Sequence, residues 1–185
     1  MLAALAASTA ALVAAASAGM TLWYLREQAA HVELTTRLDS LWHLDAQWTS
    51  GDMADTRSAA AAALLDARPT PDVDAVLDFF DGVALLLQRG ALDEEMVWHQ
   101  FYWPMANYWL AGQEYVRRAR KDDPVLWQDL EGALPRLMAI EARRRRRGVD
   151  QSTPTPAQIR DFLAAESRTG ECSEDDDTEA RRTPL

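Results

Sequence analysis

The chain has 185 residues, enough for one domain with an ordinary core plus appendages. Hydrophobic residues make up 48% of it, a globular share that excludes a wholly disordered polypeptide. Its 29 acids outnumber 19 Lys and Arg for a net charge of -10, so it repels a phosphate backbone and no nucleic-acid partner is expected. The single cysteine, Cys172, excludes an intrachain disulfide.

The first element in chain order is an uncharged, alanine-rich stretch from Leu2 to Leu25. As a helix it rises roughly 36 Å, enough to cross about 30 Å of hydrocarbon. Trp23 and Tyr24 stand at its end, where interfacial aromatics belong, and Arg26 follows. The expectation is a single-pass transmembrane anchor over residues 1–26. Arg26 and Arg37 follow the span and no basic residue precedes it, which places the C-terminal part in the cytoplasm. Two alternatives stand beside the anchor. One is a signal peptide cleaved after Ala16-Ser17-Ala18, and the other is an alanine-rich soluble helix. Ala3, Ala7, Ala11, Ala15 and Gly19 form a row of small residues that would let two such helices approach closely.

The remaining periodicity is helical, and no sustained apolar–polar alternation indicates a strand. Leu34, Leu38, Leu41 and Trp48 continue a helix that ends near Trp48, with turn chemistry at Thr49–Asp52 and Asp52 as the expected N-cap. A short alanine-rich helix follows to about Ala67. Thr70 and Pro71 open the next helix. Val73, Val76, Leu77, Phe80, Val83, Ala84 and Leu87 give it a wide apolar stripe, so it should be the most buried element. Gly90 ends it, and Asp93 caps a helix carrying Trp98, Phe101, Tyr102, Met105, Tyr108 and Trp109, with a bend expected at Pro104. The stretch around Gly90 therefore reads as an αα-corner. Asp123 and Pro124 restart the pattern toward the arginine run, and Pro156 opens a last short helix to about Ser167.

Few polar residues invite chemistry. Arg57, on an alanine-rich helix, is expected to reach a carboxylate of the core helix, Asp78 or Asp81, as a structural ion pair. Glu95 and His99 stand at i, i+4, but no third or fourth metal ligand accompanies them, which favours a surface hydrogen bond. No nucleophile elbow, dinucleotide fingerprint, P-loop, zinc-protease or Cys-x-x-Cys motif is present, so no catalytic, cofactor-binding or metal residues are assigned. Arg57, Asp81, Trp98, His99, Tyr102 and Tyr108 remain as residues for a pocket or an interaction surface. Arg143, Arg144, Arg145, Arg146 and Arg147 form the one dense positive run. It reads as solvated charge at a helix C-terminus, with anionic-lipid contact as the functional alternative at about 1 kcal/mol per residue.

The segments "MADTRSAAAAALLDA", "VLDFFDGVALLLQRGALDEEMVWHQFYWPMANYWLAGQEYVRRAR" and "PVLWQDLEGAL" resemble the bacterial domain-of-unknown-function 4760 family. The most specific part is R-G-x-L-D-x-x-x-V-W-x-x-F, from Arg89 to Phe101. The resemblance covers roughly Leu22 to Met138. It implies a membrane segment joined to an all-helical domain, and it implies no activity.

The expected architecture is all-α: an N-terminal transmembrane helix, then a small helical bundle over residues 27–148, a linker with a short helix over 149–169, and a disordered acidic tail over 170–185. The expected role is a protein-interaction or regulatory module, working through self-association as a homo-oligomer or through a protein partner. The alternative is a small-molecule sensor or enzyme with a pocket between the helices around Trp98, Tyr102 and Tyr108.

Overall fold

A computed structural model describes Met20, Trp23, Tyr24 and residues 35–68, 70–146, 148 and 152–169. The chain divides into two compact units, Met1–Asp39 and Ser40–Leu185. In the first, Met20, Trp23 and Tyr24 are helical and exposed. The rest of the expected membrane span, including its row of small residues, lies outside the described residues. Among the described residues no helix is long and apolar enough to cross a membrane. The acidic tail, 170–185, also lies outside them.

Six helices and no strand occur among the described residues, so the all-α expectation holds. They are α1 (residues 35–48), α2 (Gly51–Leu65), α3 (Pro71–Gln88), α4 (Glu94–Ala119), α5 (Gln128–Arg145) and α6 (Pro156–Glu166). In the second unit, α3 packs on α2, α5 and α4, while α6 lies on α2 and α4. The short last helix, set apart with its linker in the sequence reading, is thus built into the bundle.

Each boundary has a local cause. Ser50, not Asp52, caps α2: its hydroxyl accepts the Met53 N–H at 3.3 Å. Serine has the same acceptor chemistry, and Asp52 lies inside the first turn, where its charge suits the dipole. Asp93 caps α4 as expected, accepting from the N–H groups of Glu95 and Met96. Pro104 sits inside α4, which is assigned as one helix through it. Thr155 closes a capping box with Gln158 at α6. The start of α5 departs from the reading at Asp123. Residues 124–127 form turns, and the helix begins only at Gln128.

The core follows the stripe on α3. Val76, Phe80, Val83 and Ala84 have no exposed surface. Trp48 stacks on Phe79 at 5.0 Å between centroids, and Phe79 meets Phe101 edge-on at 5.8 Å. That second pair bridges the αα-corner across Gly90, as the apolar residues on both sides predict. Tyr108 continues the row to Phe162 of α6 at 5.4 Å. Aromatic pairs at such separations add about 0.5–1.5 kcal/mol beyond area burial.

Candidate functional site

The residues singled out from sequence do not converge. Tyr108 and Trp98 both lie on α4, but they face different neighbours. Tyr108 points into the aromatic row and donates its hydroxyl to the Arg57 carbonyl at 3.0 Å. Trp98 and Tyr102, one turn apart, face α5 and the segment after it. The expected pocket around all three aromatics is therefore two separate clusters.

The first cluster is a groove open to solvent, of about 230 Å³, lined by Trp98, His99, Tyr102, Trp103, Glu141 and Arg145. A neighbouring hollow of about 170 Å³ shares Trp103, Glu141 and Arg145 and runs on to Ser152 and Gln158. Glu141, only 5% exposed, organises this region. Its Oε2 accepts the Trp98 indole N–H at 3.0 Å, and its Oε1 accepts from Arg145. Tyr102 donates to the Ser152 carbonyl at 2.9 Å. Burial, helped by the Glu141 charge, pushes the Tyr102 phenol up to about 12. A phenol held neutral this firmly and a carboxylate engaged at both oxygens are poor acid–base catalysts near pH 7. What the groove presents instead is aromatic surface: Trp103 is 41% exposed. His99 is also exposed, at its mouth, with its ring 6.2 Å from that of Trp98.

The second cluster corrects the expected partner of Arg57. The guanidinium does not reach Asp78 or Asp81. Its Nε lies 3.0 Å from Glu166 Oε2 on α6, its Nη1 donates to the Trp48 carbonyl at 3.0 Å, and it covers the Trp48 ring at 4.5 Å. The Nε–H has no aligned hydrogen-bond acceptor among the described residues, so the Glu166 contact is chiefly coulombic. Asp81 serves α5 instead. Its Oδ1 accepts the Leu130 N–H at 2.8 Å, while Asp78 accepts the Trp127 indole N–H at 2.7 Å. Two carboxylates of α3 thus hold the start of α5, whose own N-cap residue, Trp127, has a left-handed backbone and no capping side chain.

The arginine run closes α5, with Arg146 at its C-cap. Arg143 and Arg144 both pair with Glu95, and Arg145 pairs with Glu141. Arg147 lies outside the described residues. Glu95 is thus committed to arginines rather than to His99, and the described residues hold no group of three or more His, Cys, Asp or Glu able to bind a metal ion. Sequence alone points to neither Glu141 nor Glu166, and Asp78, expected to pair with Arg57, holds the Trp127 indole instead. The i, i+4 spacing of Glu141 and Arg145 was a local signal; the other two pairs join distant segments.

The geometry defines an all-α domain with an aromatic core and polar groups largely spent on one another. A family model, that of the domain of unknown function DUF4760, matches residues 5–134, more than half of the chain, and the chain belongs to that family. No curated protein and no solved structure matches it.

Proposed function

We propose that this chain is a membrane-tethered helical module that acts by binding another protein or a second copy of itself. The observation that carries this reading is the open groove beside Trp103, a residue 41% exposed while the polar groups beneath it are tied to one another. An amphipathic aromatic next to satisfied polar groups suits recognition by contact area rather than by bond making. Arg146, exposed and without an ion pair among the described residues, adds positive charge nearby and favours a partner with acidic side chains. The pairing of Arg143, Arg144 and Arg145 leaves less charge for an anionic lipid surface.

The tether rests on the uncharged sequence from Leu2 to Leu25 and on Arg26 and Arg37 beyond it, which favour a cytoplasmic bundle. Full-length tagged protein, purified from membranes with and without Trp103→Ala, tests the reading. A partner protein or a self-associated species should accompany the parent chain and be depleted from the variant. Identical recovery from both sinks the groove as the contact. Deleting Met1–Arg26 should move the chain from the membrane fraction to the soluble one; an unchanged distribution sinks the tether.

A further inference from the structure

A cleft of about 250 Å³ lies where α4 meets α5, away from the groove, and is lined by Trp109, Gln113, Arg117, Arg120, Lys121 and Glu131. Arg120 and Lys121 face one lining acid, Glu131, while Arg117 is paired with Glu114, in a chain whose net charge is -10. Arg120 is its centre. Its Nε donates to the Leu126 carbonyl at 2.9 Å, and its Nη1 donates to Glu131 Oε2 at 2.7 Å. Its Nη2 is buried and has no acceptor among the described residues. The guanidinium carbon lies 5.8 Å from the Trp109 ring centroid. An arginine fork is built for a carboxylate at two nitrogens, yet Glu131 occupies only one of them. Glu131 is also held loosely, its side chain 56% exposed against 21% for Arg120.

We propose that this cleft is a binding site for a small organic carboxylate with a flat apolar body, and that Glu131 is an internal stand-in which the ligand displaces. The incoming carboxylate takes both Nη1 and Nη2 of Arg120, which satisfies the orphaned nitrogen. The flat body lies against Trp109, and Lys121 supplies positive potential at the rim, Arg117 being paired with Glu114. The volume suits a single ring bearing one carboxylate, smaller than drug-sized ligands. Displacing Glu131 makes binding an exchange of one carboxylate for another, so the acid's own charge sets the affinity.

Calorimetric titration of the full-length chain with benzoate, benzamide and inorganic phosphate tests this. Benzoate should bind saturably at one site, and benzamide, which has the shape without the charge, should not. Arg120→Gln should weaken benzoate at least tenfold, and Glu131→Gln should tighten it severalfold by removing the internal competitor. Lys121→Ala, at an exposed position that leaves the fold alone, should weaken it severalfold even if Arg120→Gln fails to fold. Equal binding of benzoate and benzamide, phosphate binding more tightly than benzoate, no tightening in Glu131→Gln, or unaltered affinity in Lys121→Ala would each overturn the proposal.

Discussion

Arg57 on α2 and Glu166 on α6 meet 3.0 Å apart, with the guanidinium lying 4.5 Å from the Trp48 ring centroid. Through the Arg57 carbonyl the same residue takes a hydrogen bond from Tyr108 of α4. One side chain and its backbone thus link the end of α1, α2, α4 and α6. Neither charge is well solvated, with side-chain exposures of 12% and 19%. Removing one strands the other, at a cost of about 3 kcal/mol. Arg57→Ala and Glu166→Ala should each lower urea stability by about that much. The double variant should lose clearly less than the sum, because the second deletion removes the stranded charge. Strict additivity would show that the two ions do not sense each other.

Two helix ends offer a matched pair of substitutions. α2 and α3 both close with the same pair of hydrogen bonds: Ala67 N–H to Leu64 and Arg68 N–H to Ala63, then Gly90 N–H to Leu87 and Ala91 N–H to Leu86. Both turning residues have a left-handed backbone, φ 52° at Ala67 and φ 72° at Gly90. A Cβ built at Gly90 meets nothing within 4 Å, so only backbone strain opposes it. Gly90→Ala should therefore destabilise by about 1 kcal/mol, and Ala67→Gly should stabilise by a similar amount. Thermal midpoints should move in opposite directions. A loss of stability in Ala67→Gly would mean that the end of α2 is not held in that turn.

These ends also show what local sequence could reveal. Gly90 advertised its turn because glycine is the residue that adopts φ > 0 without strain, whereas Ala67 carried no such mark. The stripe on α3 was legible because periodicity records burial directly, and every one of its seven residues is buried. The late start of α5 was not. Asp123 and Pro124 are good opening chemistry, but the positions that matter are Asp78 and Asp81, on another helix. Arg57 reads as a paired cation, but its partner is Glu166 of α6 and not a carboxylate of α3. Three other helices crowd it, and proximity along the chain does not rank their carboxylates. Glu141 gave only its spacing from Arg145; its burial depends on how α4 and α5 pack.

The capping of α5 from α3 makes a prediction with a defined sign. Burial raises the Asp81 carboxyl above the ordinary 3.8, outweighing the Leu130 N–H that favours its ionised form. A raised acid contributes stability that is complete below the unfolded value and lost as pH rises through the folded one. Asp81→Asn keeps an oxygen acceptor and removes the titration. Relative to this variant, the parent protein should lose stability as pH climbs through the acid range and then level off. Asp81→Ala, with no acceptor at all, should cost about 1 kcal/mol at neutral pH. Denaturant titrations of both variants across acid to neutral pH measure this. An opposite pH trend would show that the backbone hydrogen bond, not burial, governs Asp81.

Alkaline pH probes the aromatic packing from the other side. Burial is the first cause lifting three phenols: Tyr102 and Tyr115 rise from 10.0 to about 12, and Tyr108 rises further. Neighbouring acids add to it, Glu141 beside Tyr102, Asp74 beside Tyr115 and Glu166 beside Tyr108. Because each folded value lies above the unfolded one, the associated stability is intact below about 10 and disappears as pH rises through about 12. The denaturation midpoint should therefore fall steeply over that interval, and tyrosinate absorbance from these residues should lag behind that of unfolded chain. Tyr102→Phe should cost about 1 kcal/mol at neutral pH, since the Ser152 carbonyl loses its donor, and should shallow the alkaline loss. If all the tyrosines ionised near 10 while far-ultraviolet circular dichroism still reported intact helices, the phenols would not be buried in the packing that α4 makes with α2, α3, α5 and α6.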